Sequence, residues 1–404
     1  MRIVLHDYSG HPFQIQLARE LAQRGHEVLH LYSSAVQTPH GALEQRADDA
    51  VGFTVAAIDP GEPLPKYHYV RRFLHERRYG TMLRQQIAHF RPNAVLFSNT
   101  PPDAMAAPAR WCLSQHIPYL FWLQDIYSEA ITRLVIGKLG RLAWPVGWHY
   151  RRLEATLLRQ ATAVVVISED FKGLLGKWGV APDRIATIEN WAPLGELPPR
   201  PHDNEFARAH DLVGKTVFLY SGTLGLKHNP ALLSDLAICL ANRDECRVVV
   251  VSEGLGADFL RREKLDKSLD NLVLLPFQPF ARLPDVLGSA DVVVAILEPD
   301  AGVFSVPSKV LSYHCAGRAL LGAMPAENLA ARLIVREKSG LLVDPRDRAG
   351  FFAAARQLLD DRTGREQMGR RARFYAERAF DIGTIASRFE EQLRGAAIRS
   401  QLVD

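Results

Sequence analysis

At about 100 to 200 residues per domain, 404 residues make room for two or three domains. A composition of 47 % hydrophobic and 23 % charged residues is that of an ordinary globular chain, which excludes disorder, a collagenous fibre and a disulfide-built miniprotein. Forty-nine Lys and Arg against 45 Asp and Glu give a net charge of +4, too mild for a dedicated nucleic-acid binder. The excess is uneven: residues 1–190 hold 21 basic and 17 acidic side chains, and residues 191–404 hold 28 of each. Cys112, Cys239, Cys246 and Cys315 are scattered, without a CxxC pair or the spacing of a zinc site, so reduced thiols in a cytoplasmic protein are expected. The opening MRIVLHDYSG has no basic leader followed by an apolar core, so no signal peptide is expected. No apolar run reaches the roughly 18 residues of a spanning helix; the longest candidate, 131–150, is interrupted by Arg133, Lys138 and Arg141.

In chain order, an apolar strand over 2–6, a turn at Ser9 and Gly10, an amphipathic helix over 12–24 stopped by Gly25, and a strand over 27–32 read as one strand-helix-strand unit with parallel strands. The rhythm continues with a strand at 52–58, a helix over 71–90, a strand at 93–98, a helix over 105–115 and a strand at 118–123. After a longer excursion, the run ATAVVVI at 161–167 reads as a strand buried on both faces. The proline-rich stretch APLGELPPRPH at 192–202 then breaks the pattern as a linker. A second series follows: strand 216–220, helix 229–241, strand 247–251, helix 257–269, strand 272–275, helix 281–289, strand 291–296, helix 309–316 and strand 318–321. The expectation is an α/β protein of two doubly wound, Rossmann-like domains. Residues 1–191 form the first and 211–378 the second, with a linker at 192–210 and a C-terminal helix at 379–404 that packs back on the first domain. Ligands of such sheets bind beyond the carboxyl ends of the strands, so the loops there and the cleft between the domains are where chemistry is expected.

Three such loops carry chemistry-bearing residues. In Ser221-Gly222-Thr223-Leu224-Gly225-Leu226-Lys227, two glycines let backbone N–H groups approach a phosphate, and Lys227 adds a charge at a helix start; a tight strand-to-helix turn with an exposed lysine is the equal alternative. Ser252-Glu253-Gly254-Leu255-Gly256 is two thirds of a dinucleotide fingerprint with Phe259 in place of the third glycine, so a simple turn is the better reading. The run 301–309, ending Ser308-Lys309, again suits an anion at a helix start. In the first domain Asp125 follows a strand end, where it is either a helix N-cap or a group aimed at the cleft. GxSxG, GxxxxGK[ST] and DxD are absent, and the one HExxH match, His26 to His30, falls on the strand expected over 27–32 and not on a helix, which removes most support for hydrolases and NTPases.

The SGTLGLKHN loop, the ENW turn at 189–191, LPFQP at 275–279 followed by ADVVVAIL, and VPSKVLSYHCAGR, in this order, resemble family 4 glycosyltransferases of the GT-B fold. The branch they are most similar to holds bacterial exopolysaccharide and O-antigen enzymes of the colanic acid or fucosamine transferase type. The resemblance implies transfer of a sugar from a nucleotide-sugar donor of UDP or GDP type to an acceptor hydroxyl, with retention, no required metal and no cofactor. It implies that Gly222, Thr223 and Lys227 hold the diphosphate as charge grows on the leaving nucleotide, that Gln278 lies near the base, and that Ser305, Val306, Pro307, Ser308 and Lys309 lie near diphosphate and ribose. Gly10 would allow close approach to the donor, and Asp125 would stand beside the reacting sugar as the catalytic group. The chain departs from the family where two glutamates spaced by seven residues are usual, since Phe304 and Ser312 stand there. The ribose contact would then fall to Ser308, Lys309 or Ser312.

Two segments of the first half are strongly basic. Residues 66–91, with Arg71, Arg72, Arg77 and Arg78, carry +6, and 131–159, with Arg141, Trp144 and Trp148, carry +5. Cations among apolar and aromatic residues suit an interfacial helix on anionic lipid, against the alternative of solvated helices with a buried tryptophan face. With a polyprenyl-diphosphate-linked or saccharide acceptor expected from the resemblance, peripheral docking on the inner face of the cytoplasmic membrane is the expectation. The rivals are a nucleotide-sugar epimerase of the same architecture, an NAD-dependent enzyme and a catalytically silent nucleotide-sugar-binding subunit.

Overall fold

The computed structural model describes residues 1–36, 41–65, 68–140, 144–225, 228–299 and 308–401. The chain divides into two compact units: unit 1 is Met1–Glu189 with Ile382–Asp404, and unit 2 is Asn190–Asp381.

Unit 1 is built on β1 (Arg2–Asp7), α1 (Pro12–Gln23), β2 (Glu27–Ser33), β3 (Phe53–Ile58), α2 (Tyr69–Phe90), β4 (Ala94–Ser98), α3 (Pro102–Ser114) and β5 (Tyr119–Leu123). A helical hairpin, α4 (Tyr127–Leu139) and α5 (Trp144–Gln160), then leads into β6 (Ala163–Val166), α6 (Asp170–Lys177) and β7 (Ile185–Thr187). The strands pair in parallel in the order β3-β2-β1-β4-β5-β6-β7. β4, β5 and β6 are buried along their whole length, as central strands covered by helices on both faces must be. The last helix of the chain, Ile382–Gln401, packs on this unit through a charged cluster: Arg24 donates to Gly383 O at 2.5 Å, and His26 Nε2 lies 3.1 Å from Glu390 Oε1. α2 comes unusually close to α3, because a Cβ on Gly80 would stand 2.4 Å from the Ala104 carbonyl.

Unit 2 contains α7 (Glu205–Ala209), β8 (Thr216–Ser221), α8 (Ala231–Cys239), β9 (Cys246–Val251), α9 (Leu255–Asp266), β10 (Leu272–Leu275), α10 (Leu283–Gly288) and β11 (Val292–Ile296). It continues with α11 (Lys309–Ala316), β12 (Ala319–Ala323), α12 (Leu329–Glu337), β13 (Gly340–Val343), α13 (Arg348–Asp360) and α14 (Arg362–Ala379). Its six parallel strands run β10-β9-β8-β11-β12-β13. Phe218, Tyr220, Leu233, Val250 and Val294 sit in its core. The proline-rich stretch is packed into this unit: Trp191 and Leu197 are buried, and Arg373 donates to Leu197 O at 3.2 Å.

Two expectations need correction. The apolar run 161–167 contributes only the four residues of β6 to the sheet, because β5 pairs with it over Ala163 to Val166 alone. The helix expected over 281–289 is a 3-10 turn, Phe280–Arg282, followed by the six residues of α10; Pro284, which lacks an N–H, fits only the first turn of a helix.

Candidate active site

In doubly wound sheets, strand order reverses at one point and leaves a crevice at the carboxyl ends of the strands there. In unit 2 this point lies between β8 and β11, and in unit 1 between β1 and β4.

The loop after β8 begins with Gly222, whose φ of 134° is open to glycine alone. A Cβ at that position would meet Lys309 Cε at 3.3 Å and Nζ at 3.5 Å, so glycine is needed twice over. Lys309 opens α11 and folds over Tyr220: Nζ stands 3.8 Å from the ring centroid and donates to the tyrosine hydroxyl. Tyr220 in turn donates to Thr223 O at 2.9 Å, which fixes the loop. Tyr313 ties the same loop from α11, accepting from Ser221 N at 3.0 Å. No carboxylate pairs with Lys309 among the described residues, and burial pushes its ammonium down from 10.5 to about 7. A cation at a helix N-terminus with an aromatic face as its main partner is electrostatically frustrated, and an incoming dianion would relieve it.

The remaining residues expected at the donor site lie nearby in sequence with different fates. Thr223 is exposed, Ser308 is exposed and Ser312 is half-buried on α11. Gln278 spends its amide on the local carbonyl of Pro276 at 3.0 Å. Lys227 and Ser305, Val306 and Pro307 lie outside the described residues. The Gly254-Leu255-Gly256 turn has a packing role. Gly254 (φ 89°) caps α9, and a Cβ on Gly256 would stand 2.5 Å from Leu224 Cβ and 2.8 Å from Leu224 O, so this glycine lets the second loop seat the first.

In unit 1, Gly10 (φ 72°) turns the chain from β1 into α1. The fully buried Asp7 holds that turn: its carboxylate accepts Ser9 N at 3.0 Å, the backbone N–H of His11, and His11 Nδ1 at 3.3 Å. Burial alone would raise the Asp7 pKa, but His11 and the N–H donors bring it below the usual carboxylate value. Burial works against a charged His11, and the carboxylates of Asp7 and then Asp125 outweigh it, so its pKa is raised. Asn99, with φ 47°, follows β4 and donates to Ser9 Oγ at 3.2 Å, while Tyr127 donates to Asn99 Oδ1 at 2.9 Å. Gln124 donates to Ser98 Oγ at 2.8 Å. Asp125 therefore belongs to a polar cluster at the carboxyl ends of β1, β4 and β5. His11, Asn99 and Tyr127 escaped the sequence reading; the signal available was a histidine directly after the turn glycine Gly10.

The start of α4, which carries this cluster, is capped from α5. Glu154, buried in the middle of α5, accepts Tyr127 N and Ser128 N, one on each carboxylate oxygen, both at 2.9 Å. Burial pushes its pKa up to about 7, and the N–H donors limit the rise. A folded-state value above the unfolded 4.5 means the folded chain binds more protons between pH 4.5 and 7, so this group's contribution to stability falls as pH rises through that window. Replacing Glu154 by Gln turns one acceptor into a donor facing an N–H, at a cost of about 1–3 kcal/mol. A melting-temperature loss of about 5 °C, with a flatter stability profile between pH 4.5 and 7, is expected by thermal melts across pH.

The basic segments are only partly as expected. Arg71, Arg77 and Arg78 are exposed on α2, and Trp144 and Trp148 on α5 are 69 % and 57 % exposed, so they are not a buried tryptophan face. Arg72 departs from the reading: it turns inward to Glu76, Nε to Oε1 2.7 Å, a pairing that neutralises a buried carboxylate. Arg141 lies outside the described residues. Among the described residues no helix is long and apolar enough to cross a membrane.

Known structures share this architecture. Anabaena Alr3699/HepE, solved with UDP and glucose, superposes with a TM-score of 0.72 over 98 % of this chain and 99 % of that one at 16 % identity. The sucrose-phosphate synthase of Thermosynechococcus elongatus gives 0.70 over 98 % of both chains, also at 16 % identity. Two parallel, doubly wound units with this strand order are the GT-B architecture, the fold these structures share. Residues 14–195 match the model of Glycosyltransferase Family 4 and residues 215–361 that of Glycosyl transferases group 1. It is also 25 % identical over 256 residues to the probable glycosyltransferase WbjE of Pseudomonas aeruginosa, a match that spans 63 % of this chain and 61 % of that protein.

Proposed function

We propose that the protein is a retaining, metal-independent glycosyltransferase that moves a sugar from a UDP-type nucleotide sugar to a lipid-linked or saccharide acceptor in cell-surface polysaccharide assembly. The observation that carries the reading is the Gly222–Lys309 pair at the switch point of unit 2: a backbone opened by glycine beside a buried ammonium with no carboxylate partner among the described residues. That arrangement suits a diphosphate, whose charge grows as the glycosidic bond breaks. UDP and UDP-sugar complexes of proteins with this fold support the choice of nucleotide, and the WbjE match supports sugar transfer.

In this reading Gly222, Thr223, Lys227 and Lys309 bind the diphosphate, and Ser308 and Ser312 serve the ribose where relatives use a glutamate. Asp125 stands beside the reacting sugar, with Gly10 allowing close approach and His11 adding a charge held by Asp7. In the same reading unit 1 docks on anionic lipid at the inner face of the cytoplasmic membrane, which the exposed arginines and tryptophans of α2 and α5 support.

Thermal melts with UDP, GDP, dTDP and NAD test the donor class. A shift with UDP above the others is expected; a shift with NAD alone would sink the reading, and no response to any nucleotide would leave a silent subunit. Incubation of a UDP-sugar with and without acceptor separates transfer from epimerisation, since an epimerase changes the donor sugar with no acceptor present.

A further inference from the structure

Unit 1 carries a groove of about 610 Å3 between α2, α3 and α5, within the roughly 300–1,000 Å3 of small-molecule sites. Its origin is in the sequence. Gly80 draws α2 close to α3, and between Asp103 and Arg110 α3 sets the small Ala106 and Ala107 between the bulkier Phe73 of α2 and Leu153 of α5. The floor is therefore low and apolar. Its walls are cationic: Arg77, Arg78 and Arg110 line it, with His149 beside them. The single acidic residue in the lining is Asp103, whose carboxylate already accepts the hydroxyl of Tyr150 at 2.7 Å. Arg77 lies over the Phe73 ring at 5.3 Å, and Arg78 has no ion-pair partner among the described residues.

The neighbouring stripes of the same helices are apolar and exposed. Val70 and Leu74 are 74 % and 59 % exposed on α2, and Trp144 and Trp148 run along α5 at a spacing of four residues. Inorganic phosphate would leave the apolar floor unused, and a neutral lipid would leave three arginines uncompensated. We propose that this groove binds a phosphorylated amphiphile, its phosphate held by Arg77 and Arg78 and its chain laid over Ala106 and Ala107 between Phe73 and Leu153. The proposal rests on the lipid-linked acceptor of the preceding subsection and gives it a site.

The test uses the full chain and farnesyl phosphate below its micellar concentration, with farnesol and inorganic phosphate as the two half-ligands, by titration calorimetry. Farnesyl phosphate is expected to bind at least tenfold more tightly than either. Ala107→Trp, which fills the floor, and the surface pair Arg77→Gln/Arg78→Gln should each lose at least tenfold while keeping the wild-type response to UDP. Wild-type affinity in both variants, or equal binding of farnesol and farnesyl phosphate, overturns the proposal. Sedimentation with anionic vesicles reads the membrane proposal separately: Ala107→Trp should still sediment as the wild type does. Loss of vesicle binding with the groove intact would overturn membrane docking and leave the groove standing.

Discussion

Lys309→Ala is expected to weaken UDP binding by about 10- to 100-fold, the worth of a charged hydrogen bond in a partly desolvated site. The physical basis is the state of the free protein. The Nζ of Lys309 is held between the Tyr220 ring and its hydroxyl, at the first residue of α11, and its pKa is pushed down by burial to about 7. A diphosphate beside it favours the charged form and raises that pKa again. Above pH 7 the free ammonium has lost its proton, so binding must take one up, and UDP affinity is expected to fall by up to about tenfold per pH unit until the pKa of the complex is reached. Below pH 7 the amine is charged in both states and contributes no slope. Calorimetry at pH 8 in two buffers of different ionisation heat should report uptake approaching one proton in the wild type. Lys309→Ala should show weak, proton-neutral binding, and Lys309→Arg charged binding without the slope. Equal affinity and equal proton uptake in wild type and Lys309→Ala would remove this lysine from the donor site.

The same site shows why part of it could be read from the sequence and part could not. A glycine after an apolar strand and a lysine at a helix start are local signals, so Gly222 and Lys309 were visible as an anion-binding pair of loops. That they meet, with the lysine side chain filling the space a Gly222 side chain would need, depends on β8 and β11 being neighbours, which no local pattern reveals. Glu154 is a sharper case. In a run with six basic residues it reads as one solvated acid, yet it is buried and caps a helix 26 residues earlier in the chain. The strand rhythm was legible because Val, Ile and Leu cluster in buried parallel strands. β7, a half-buried three-residue strand, has too little apolar character to stand out. His11 was hidden by its position, directly before the Pro12 that opens α1, where a polar residue is expected for capping alone; here its side chain makes no cap hydrogen bond and turns to Asp7 instead.

Asp7→Asn should separate the two units functionally. Asp7 is fully buried and its two oxygens serve three donors, the N–H groups of Ser9 and His11 and the His11 ring. An amide keeps one acceptor oxygen, sets its NH2 against a backbone N–H and removes the charge that offsets the burial of His11. Loss of one partner from a buried pair costs about 3–5 kcal/mol, so unit 1 should melt well below the wild type. The pKa of His11, raised in the wild type, should drop below 6.5 in the variant, since Asp125 alone is left to oppose burial. If His11 and Asp125 act on the reacting sugar, turnover in Asp7→Asn should fall by about 100-fold or more, as for the loss of a charged group at a reacting centre. UDP affinity, which the proposed function assigns to unit 2, should stay within about twofold of the wild type, a spread of well under one kcal/mol. Asp125→Asn supplies the control, because it leaves the Asp7 turn intact. It should melt close to the wild type yet lose turnover to a similar degree, with donor affinity little changed. NMR titration of the histidines, UDP calorimetry and single-turnover transfer read the three quantities independently. A variant of Asp7 that keeps full turnover while the His11 pKa falls would show that the charge on this histidine plays no part in transfer.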